Sequence, residues 1–144
     1  IKGYWRNPEA TQALFTADGY IRTGDVGYLD ADGYLFIVDR KKEIIIRGGE
    51  NISAAEVEAA CYSCPAVAEA SVFGAPDERL GEVPVVVIHV KAGAELDEAN
   101  LRSFLDGQLA KFKIPERVIF SSEPLPRLGT GKIDRRALKA QYAR

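Results

Sequence analysis

The sequence is poor in metal-binding and redox-active residues, with one histidine, two cysteines and no methionine among 144 residues. A structural zinc ion needs four ligands, and His89 could add only a third to Cys61 and Cys64. A redox C-x-x-C pair takes its low thiolate pKa from a helix N-terminus, whereas Cys61 falls near the end of a predicted helix. We therefore predict no metal site, ordinary packing of both thiols and a reducing, cytoplasmic location.

Long apolar runs are also missing. No stretch approaches the roughly 20 apolar residues that span a bilayer, so we expect no integral membrane segment. Hydrophobic residues make up 47% and charged residues 28% of the chain, a mixture typical of a globular protein. The sequence begins at Ile1 without an initiator methionine or a signal peptide, and we expect it to be part of a longer chain.

Charge is distributed unevenly along the chain. Residues 1–109 carry 10 basic and 18 acidic side chains, whereas residues 110–144 carry 9 basic and 3 acidic ones. A basic C-terminal segment favours an anionic partner. Composition leaves two kinds of partner open, nucleic acid and a small molecule that bears phosphate.

Local signals along the chain predict an α+β fold. Turn signals at 18–19 and 30–33 precede the apolar segments 20–22 and 33–38, which we interpret as the two strands of a hairpin. Because a proline cannot donate a ladder hydrogen bond, Pro84 predicts that its strand begins at a sheet edge. The other predicted elements are strands at 44–46, 67–73, 83–90 and 117–120 and helices that begin at Ser53, Asp97 and Asp134.

Three short motifs each allow a functional and a purely structural interpretation. The segment Arg22 to Asp25 puts a carboxylate at a strand end, where it could bind sugar hydroxyls or cap a turn. The segment Arg47 to Asn51 has two glycines, which either let a ligand approach bare backbone or form a tight turn between strand and helix. Residues 124–132 form a proline- and glycine-rich loop that ends in a lysine. It is not a Walker P-loop, because Pro126 replaces that motif's first glycine and Ile133 its Ser or Thr.

In this order and spacing, the motifs resemble those of the AMP-forming adenylating enzymes. That family includes acyl-CoA synthetases, firefly-type luciferases and the adenylation domains of peptide synthetases. The resemblance runs from Gly3-Tyr4-Trp5 and Thr11 to the end of the chain. Its matching segments are Tyr20 to Asp25, Val38 to Ile52 and Leu125 to Lys132.

The resemblance implies a two-domain organisation. Residues 39–144 would be a small, mobile α+β C-terminal domain with a mixed or antiparallel sheet and flanking helices. Residues 1–38 would be the tail of the large N-terminal, AMP-binding domain, and would end in a β-hairpin. The acyl pocket and the main phosphate-binding loop would lie in the N-terminal domain of the same polypeptide. The isolated fragment is therefore expected to be inactive alone.

The resemblance also implies roles in adenylate formation from ATP and a carboxylic acid. Lys132 would bridge the substrate carboxylate and the α-phosphate, where a fixed cation stabilises developing negative charge. Asp25 would bind both ribose hydroxyls, and Arg40 would contact the ribose or the α-phosphate. Mg²⁺ would neutralise the leaving pyrophosphate.

A second set of residues would act when the acyl group passes to coenzyme A. The C-terminal domain would rotate about a hinge at Asp39, which moves Lys132 away. Lys111 and Lys113 are weaker candidates for contacts with the CoA phosphates. The residues expected to line the path of the pantetheine arm are Gly48, Gly49 and Glu50, with Asn51 nearby.

Departures from the family patterns favour a stand-alone CoA ligase. Residues 39–52 follow the style of fatty-acyl and aryl CoA ligases, and Ile46 replaces a lysine that is common in luciferases and plant aryl ligases. A fatty acid is the substrate favoured by this style. The alternatives are a peptide-synthetase-like adenylation domain, an acyl-AMP ligase, or a non-catalytic interaction or nucleic-acid-binding domain. No nucleic-acid partner is expected, because the basic segment lacks interleaved aromatic residues.

Overall fold

The computed structural model describes residues 1–143, and the chain folds as two units. The first unit is Ile1–Lys42, and the second begins at Glu43. This division falls a few residues beyond the boundary expected after residue 38. The assignment of residues 1–38 and 39–144 to two functional domains stays a prediction.

The first unit contains one short helix and one hairpin. Helix α1 spans Pro8–Leu14 and is capped by the Asn7 side chain, which accepts a hydrogen bond from the backbone of Ala10. Strand β1 (Asp25–Leu29) pairs antiparallel with β2 (Leu35–Arg40).

The first strand of this hairpin lies later than the sequence indicates. The predicted strand at 20–22 is wrong, since Ile21 makes only an isolated bridge with Phe15. The register is set instead by the turn at 30–33, where the side chain of Asp30 accepts hydrogen bonds from the backbone of Asp32 and Tyr34. That turn pairs the residues directly beside it, so the strand is the segment that ends at Leu29.

The second unit is a mixed sheet with helices, which confirms the predicted α+β fold. Its strand order is β4-β3-β6-β5, with β7 also paired to β6; the β6–β7 pair is parallel and the others are antiparallel. Within residues 1–143, no helix is long and apolar enough to cross a membrane. The strands are β3 (Ile44–Arg47), β4 (Glu50–Ser53), β5 (Val67–Asp77), β6 (Gly81–Val90) and β7 (Arg117–Ser121). The helices are α2 (Ala54–Ser63), α3 (Glu98–Asp106) and α4 (Arg135–Tyr142), with 3-10 turns at Lys41–Glu43 and Lys111–Lys113.

The core of the second unit lies on both faces of the β5–β6 pair. Strand β6 is a continuous apolar run because successive residues enter opposite clusters. One cluster joins the sheet to α2 and α3, and the other joins it to α4 and the loop before it. The first includes Val57, Val72, Val86, Ile88, Leu101 and Leu105, and the second includes Phe73, Val83, Val85, Val87, Leu125 and Leu138.

Two features of this sheet differ from the sequence-based expectation. The four residues of β4, Glu-Asn-Ile-Ser, carry little strand signal, and they pair with β3 because the chain folds back at Gly48 and Gly49. The expected edge position of β6 is wrong, because the strand has partners on both sides. Pro84 is accommodated between Gly81, which pairs with β3, and Val85, the first residue paired with β7.

Candidate functional site

Asp25 and Arg40 come together at the open end of the β1–β2 hairpin. They are cross-strand partners, and Nε of Arg40 donates to Oδ1 of Asp25 at 2.8 Å. The Arg40 side chain also reaches the carbonyl of Thr23 at 3.4 Å. A carboxylate has roughly four acceptor positions, so this pair leaves Asp25 able to accept hydrogen bonds from a ligand. The structure therefore brings together the two residues expected to contact the nucleotide.

Asp39 lies one residue before Arg40 in β2 and is only 8% exposed. Its Oδ1 accepts the backbone N–H of Arg40 at 2.6 Å. Its Oδ2 is buried and has no hydrogen-bond partner within residues 1–143. The ladder register also shifts next to this position, between Val26 and Gly27. A buried unsatisfied polar atom costs about 1–3 kcal/mol, so Asp39 occupies an unfavourable setting in this conformation.

The segment 48–51 contains the tip of the β3–β4 hairpin, so the turn between strand and helix, one of the two interpretations of the sequence, is not what forms. Gly48 and Gly49 have φ values of +58° and +90°, and the flanking residues Arg47 and Glu50 are paired. Two central residues with positive φ define a type I′ turn, which explains the two glycines. The N–H of Gly48 donates to the carbonyl of Leu80 at 2.7 Å, which fastens the turn to the β5–β6 connection.

Glu50 and Asn51 follow this turn as the first residues of β4. Both side chains are exposed, as are the two glycines. Together the four residues present backbone and polar groups at one tip of the second unit. This is the arrangement that a close approach of a ligand to bare backbone requires.

Lys132 follows a tight turn in the segment between β7 and α4. The Leu128 N–H donates to the Lys132 carbonyl, and the Gly131 N–H donates to the Leu128 carbonyl, both at 2.8 Å. Gly131 has a φ of +82°, and Arg127 forms a bridge with Ile133 across the turn. The Lys132 side chain is exposed at the end of this closed turn.

The base of this turn is continuous with helix α4. Asp134 caps the helix by accepting the N–H of Ala137 at 3.1 Å. Arg135 then bonds to both oxygens of Glu58 at 2.8 and 2.9 Å and forms an ion pair with Glu43. Burial lowers the pKa of Arg135, but Glu58 and Glu43 outweigh burial and raise this pKa above its ordinary value. This cluster, which sequence reasoning missed, ties α4 to α2 and to the first residue of the second unit.

The Lys132 turn and the Gly48 turn are anchored at opposite ends of the β5–β6 hairpin. Glu69 holds the Lys132 segment through the backbone N–H of Leu125 at 2.6 Å and through Arg127. Leu80, at the far end of the hairpin, holds Gly48. Glu69 and Asp77 are eight residue steps apart on β5, and a rise of about 3.3 Å per step places these two anchor points about 26 Å apart.

A family model described as the AMP-binding enzyme C-terminal domain matches residues 56–132, more than half of the chain. The chain belongs to this family.

Curated relatives of this chain include CoA ligases, and the chain spans 28% of the length of each of the following two. It is 50% identical over 138 residues to a 2-succinylbenzoate–CoA ligase from Geobacillus kaustophilus, with 96% of this chain covered. It is 43% identical over 143 residues to a long-chain-fatty-acid–CoA ligase from Mycobacterium tuberculosis, with 99% covered. Among solved structures, ATP-bound MatB from Rhodopseudomonas palustris matches with a TM-score of 0.88 and 42% identity, over 99% of this chain and 28% of that one.

In this AMP-binding C-terminal domain, the 3-10 turn at 111–113 lies beside the β3–β4 hairpin. Arg47 donates to the carbonyl of Phe112 at 3.2 Å and to the carboxylate of Glu116 at 2.8 Å. Lys113 is already bound to both oxygens of Glu56 at 2.6 and 2.8 Å. Of the two weaker candidates for a CoA phosphate contact, Lys113 is therefore engaged within the domain, whereas the Lys111 side chain is exposed.

The two cysteines pack in the core of the domain, as their sequence context indicates. Both are buried free thiols. Burial, helped by the nearby charges of Glu58 and Cys64, raises the pKa of Cys61 to about 12. At neutral pH such a thiol holds its proton, so it is a poor nucleophile and a poor metal ligand.

Proposed function

We propose that this chain is the C-terminal part of an ATP-dependent acyl-CoA synthetase. The full enzyme would attach a carboxylic acid to the α-phosphate of ATP with release of pyrophosphate, and then transfer the acyl group from the acyl-adenylate to the thiol of CoA with release of AMP. Membership of the AMP-binding C-terminal domain family and similarity to CoA ligases support this reaction class.

The observation that carries the proposal is that the Lys132 turn and the Gly48 turn are anchored at opposite ends of the β5–β6 hairpin. The two turns are anchored about 26 Å apart along β5, so we propose that they do not serve the same small reacting centre at once. They can serve it in turn when the domain rotates. We propose that Lys132 faces the centre during adenylation and that residues 48–51 face it during thioester formation.

Lys132 is suited to the first step because it is exposed on a turn with a defined backbone. As the carboxylate attacks the α-phosphate, negative charge gathers on the phosphoryl oxygens, and a positioned ammonium group lowers the barrier. Asp25 and Arg40 are proposed to hold the ribose and the α-phosphate. The existing ion pair aligns both side chains at the same end of the hairpin.

The Gly48-Gly49 turn is suited to the second step because a pantetheine arm is long, thin and amide-bearing. Glycine backbone allows such an arm to approach without a clash with side chains. Glu50 and Asn51 are proposed to line the same path, and Asp39 is proposed as the hinge. The unsatisfied Oδ2 of Asp39 supports that role, because a rearranged hinge could relieve it.

We propose that the remaining components lie outside this chain. Mg²⁺ is expected to arrive with ATP and to neutralise the leaving pyrophosphate. No group of three or more His, Cys, Asp or Glu in the described residues could hold a metal ion, so we assign none of them as its ligand. The acyl pocket is proposed to lie in the N-terminal domain of the same polypeptide, and the isolated chain is expected to be inactive.

A fatty acid is the proposed acid substrate. The style of the 39–52 segment and 43% identity to a long-chain ligase support it. The 2-succinylbenzoate ligase is at least as similar, at 50% identity. This domain therefore carries the shared chemistry of activation, and the choice of acid belongs to the acyl pocket.

The test compares wild type, Lys132→Ala and a control, Lys139→Ala, in the full-length enzyme. Lys139 is an exposed lysine on α4 that contacts Glu82 at 3.5 Å. We expect Lys132→Ala to slow acid-dependent pyrophosphate release by about 10²–10³-fold, because a charge-stabilising group is lost. Thioester formation from presynthesised acyl-adenylate and CoA should stay within about twofold, and the control should match wild type in both.

Other outcomes would contradict the proposal in different ways. Equal losses in both half-reactions of Lys132→Ala would mean that Lys132 is structural or that the domain does not alternate. Wild-type rates in both would remove Lys132 from the chemistry altogether.

A further inference from the structure

The segment that carries Lys132 is clamped by a pair of charged residues outside the turn itself. Nη1 of Arg127 donates to the carbonyl of Gly131, the residue before Lys132, at 2.6 Å. Nη2 of Arg127 donates to one carboxylate oxygen of Glu69, and the other oxygen accepts the backbone N–H of Leu125 at 2.6 Å. Glu69 lies on β5, so the clamp joins the turn to the central sheet.

The Glu69 carboxylate is mostly buried and has hydrogen-bond donors for both of its oxygens. Its side chain is 14% exposed, and it lies on β5 among buried apolar residues, beside Ala70 at 2% exposure. Burial raises its pKa, but the hydrogen bonds from Leu125 and Arg127 outweigh burial and hold this pKa below its usual value. The carboxylate is thus ionised at neutral pH with both oxygens engaged, as a nearly buried charge requires.

The lysine has a specific need for such a clamp. Its side chain is a flexible four-carbon stem with a point charge at the end, so it cannot orient itself as a planar guanidinium can. Only the backbone at Lys132 can limit where the ammonium group reaches. That backbone is fixed by the Gly131 carbonyl, which Arg127 holds, and by the Leu128 N–H bond to the Lys132 carbonyl at 2.8 Å.

We infer that Glu69 and Arg127 are positioning residues for Lys132, which set the reach of its ammonium group during adenylation. This inference rests on the proposed function of Lys132. Misplacement of a reacting group by about 1 Å can cost about 100-fold in rate. Loss of the clamp should therefore slow adenylation more than thioester formation, as Lys132→Ala is expected to do, but by a smaller factor.

The domain contains a matched control arrangement. Arg102 forms an ion pair with Glu98 at 2.8 Å and donates to the carbonyls of Pro115 and Glu116 at 2.6 and 2.7 Å. Arg102 thus binds a carboxylate and the carbonyls of a loop, as Arg127 does. Its loop does not carry Lys132. Arg102→Ala controls for the general effect of removing such an arginine.

The experiment measures both half-reactions in the full-length enzyme for Arg127→Ala, Arg127→Lys, Glu69→Gln and Arg102→Ala. We expect Arg127→Ala to slow pyrophosphate release by about 10–100-fold, with thioester formation within about twofold. Arg127→Lys should recover part of the lost rate, because a cationic donor group remains. Glu69→Gln should show the same direction of change, and Arg102→Ala should not slow pyrophosphate release selectively.

Hydrogen exchange in the same variants supplies a readout beside activity. The N–H groups of Leu128 and Gly131 are held by the turn and should exchange faster in Arg127→Ala, while the β5–β6 amides keep their protection. If these amides and the ratio of half-reactions stay at wild-type values while Lys132→Ala remains selective, the clamp has no positioning role. If Lys132→Ala is itself not selective, the proposed function fails first.

Discussion

The Gly48-Gly49 turn offers a prediction whose size follows directly from the backbone. Both residues have positive φ, +58° and +90°, and an L-residue in the left-handed region costs roughly 1–2 kcal/mol. A Cβ at Gly48 would also lie 3.2 Å from Cδ2 of Leu80, whereas a Cβ at Gly49 would meet no atom within 4 Å. We therefore expect Gly49→Ala to lose about 1–2 kcal/mol of stability and Gly48→Ala to lose more.

Thermal unfolding of the 144-residue chain, followed by far-ultraviolet circular dichroism, measures these losses. For a unit the size of Glu43–Arg144, each kcal/mol of lost stability lowers the midpoint temperature of unfolding by about 4–8 °C. Gly49→Asn is the matched control, because asparagine tolerates the left-handed region better than alanine. It should lose less stability than Gly49→Ala despite its larger side chain.

The same variants test the functional role of the turn in the full-length enzyme. If residues 48–51 line the path of the pantetheine arm, Gly49→Ala should slow thioester formation more than adenylation. Wild-type stability in both alanine variants would refute the type I′ geometry. Stability losses of the expected size with equal effects on both half-reactions would refute the separate role in the thiol step.

Two further predictions concern the thiols and the nucleotide contact. A thiol reagent at pH 8 should label neither Cys61 nor Cys64 in the folded 144-residue chain, because both thiols are buried and the pKa of Cys61 is about 12. Both should be labelled in guanidinium. Rapid labelling of Cys61 in the folded chain would contradict the packing. Asp25→Asn in the full-length enzyme should raise KM for ATP about 10–100-fold, since a hydrogen bond to a charged group contributes about 1.5–3 kcal/mol. An unchanged KM would show that Asp25 does not bind the ribose.

The elements that sequence reasoning located correctly are those whose signals are local. The helices at Ser53, Asp97 and Asp134 begin where expected, because each of these side chains caps the backbone of its own helix. Such a bond depends on residues three positions apart. The start of each of these helices can therefore be predicted from the sequence without knowledge of the sheet.

The errors arise where pairing across the chain overrides local preference. The apolar segment 20–22 looks like a strand, but the turn at 30–33 selects Asp25–Leu29 as the partner of β2. Strand β4 has a weak signal of its own and exists because a glycine turn returns it to β3. Pro84 suggests an edge, yet its strand is central because the neighbouring strands divide its length between them.

In the candidate site, the sequence motifs identify individual residues, whereas the contacts between those residues follow only from the fold. The motifs single out Asp25, Arg40 and Lys132 as residues, but they do not show that the first two form an ion pair. Nor do they show that Glu69, far from Lys132 in sequence, holds its turn. Contacts of this kind depend on strand register, which single residues do not encode.

The contacts around the proposed hinge limit how a rotation could occur. In the first unit, Arg40 is bonded to Asp25, and the N–H of Lys41 donates to the carbonyl of Gly24 at 2.8 Å. In the second unit, Glu43 is paired with Arg135. Rotation about Asp39 must break the first two contacts, because each joins a residue after Asp39 to a residue before it.

The cost of breaking these contacts is small enough for a hinge. An exposed ion pair contributes about 0–1 kcal/mol, and Arg40 and Asp25 have side chains that are 49% and 26% exposed. One backbone hydrogen bond adds about 0.5–1.5 kcal/mol. The buried, unpartnered Oδ2 of Asp39 offsets part of this cost if rotation lets it reach water or a donor. Exchange of one substrate for the next could shift such an equilibrium, because a ligand moves a two-state balance by its difference in affinity for the two states.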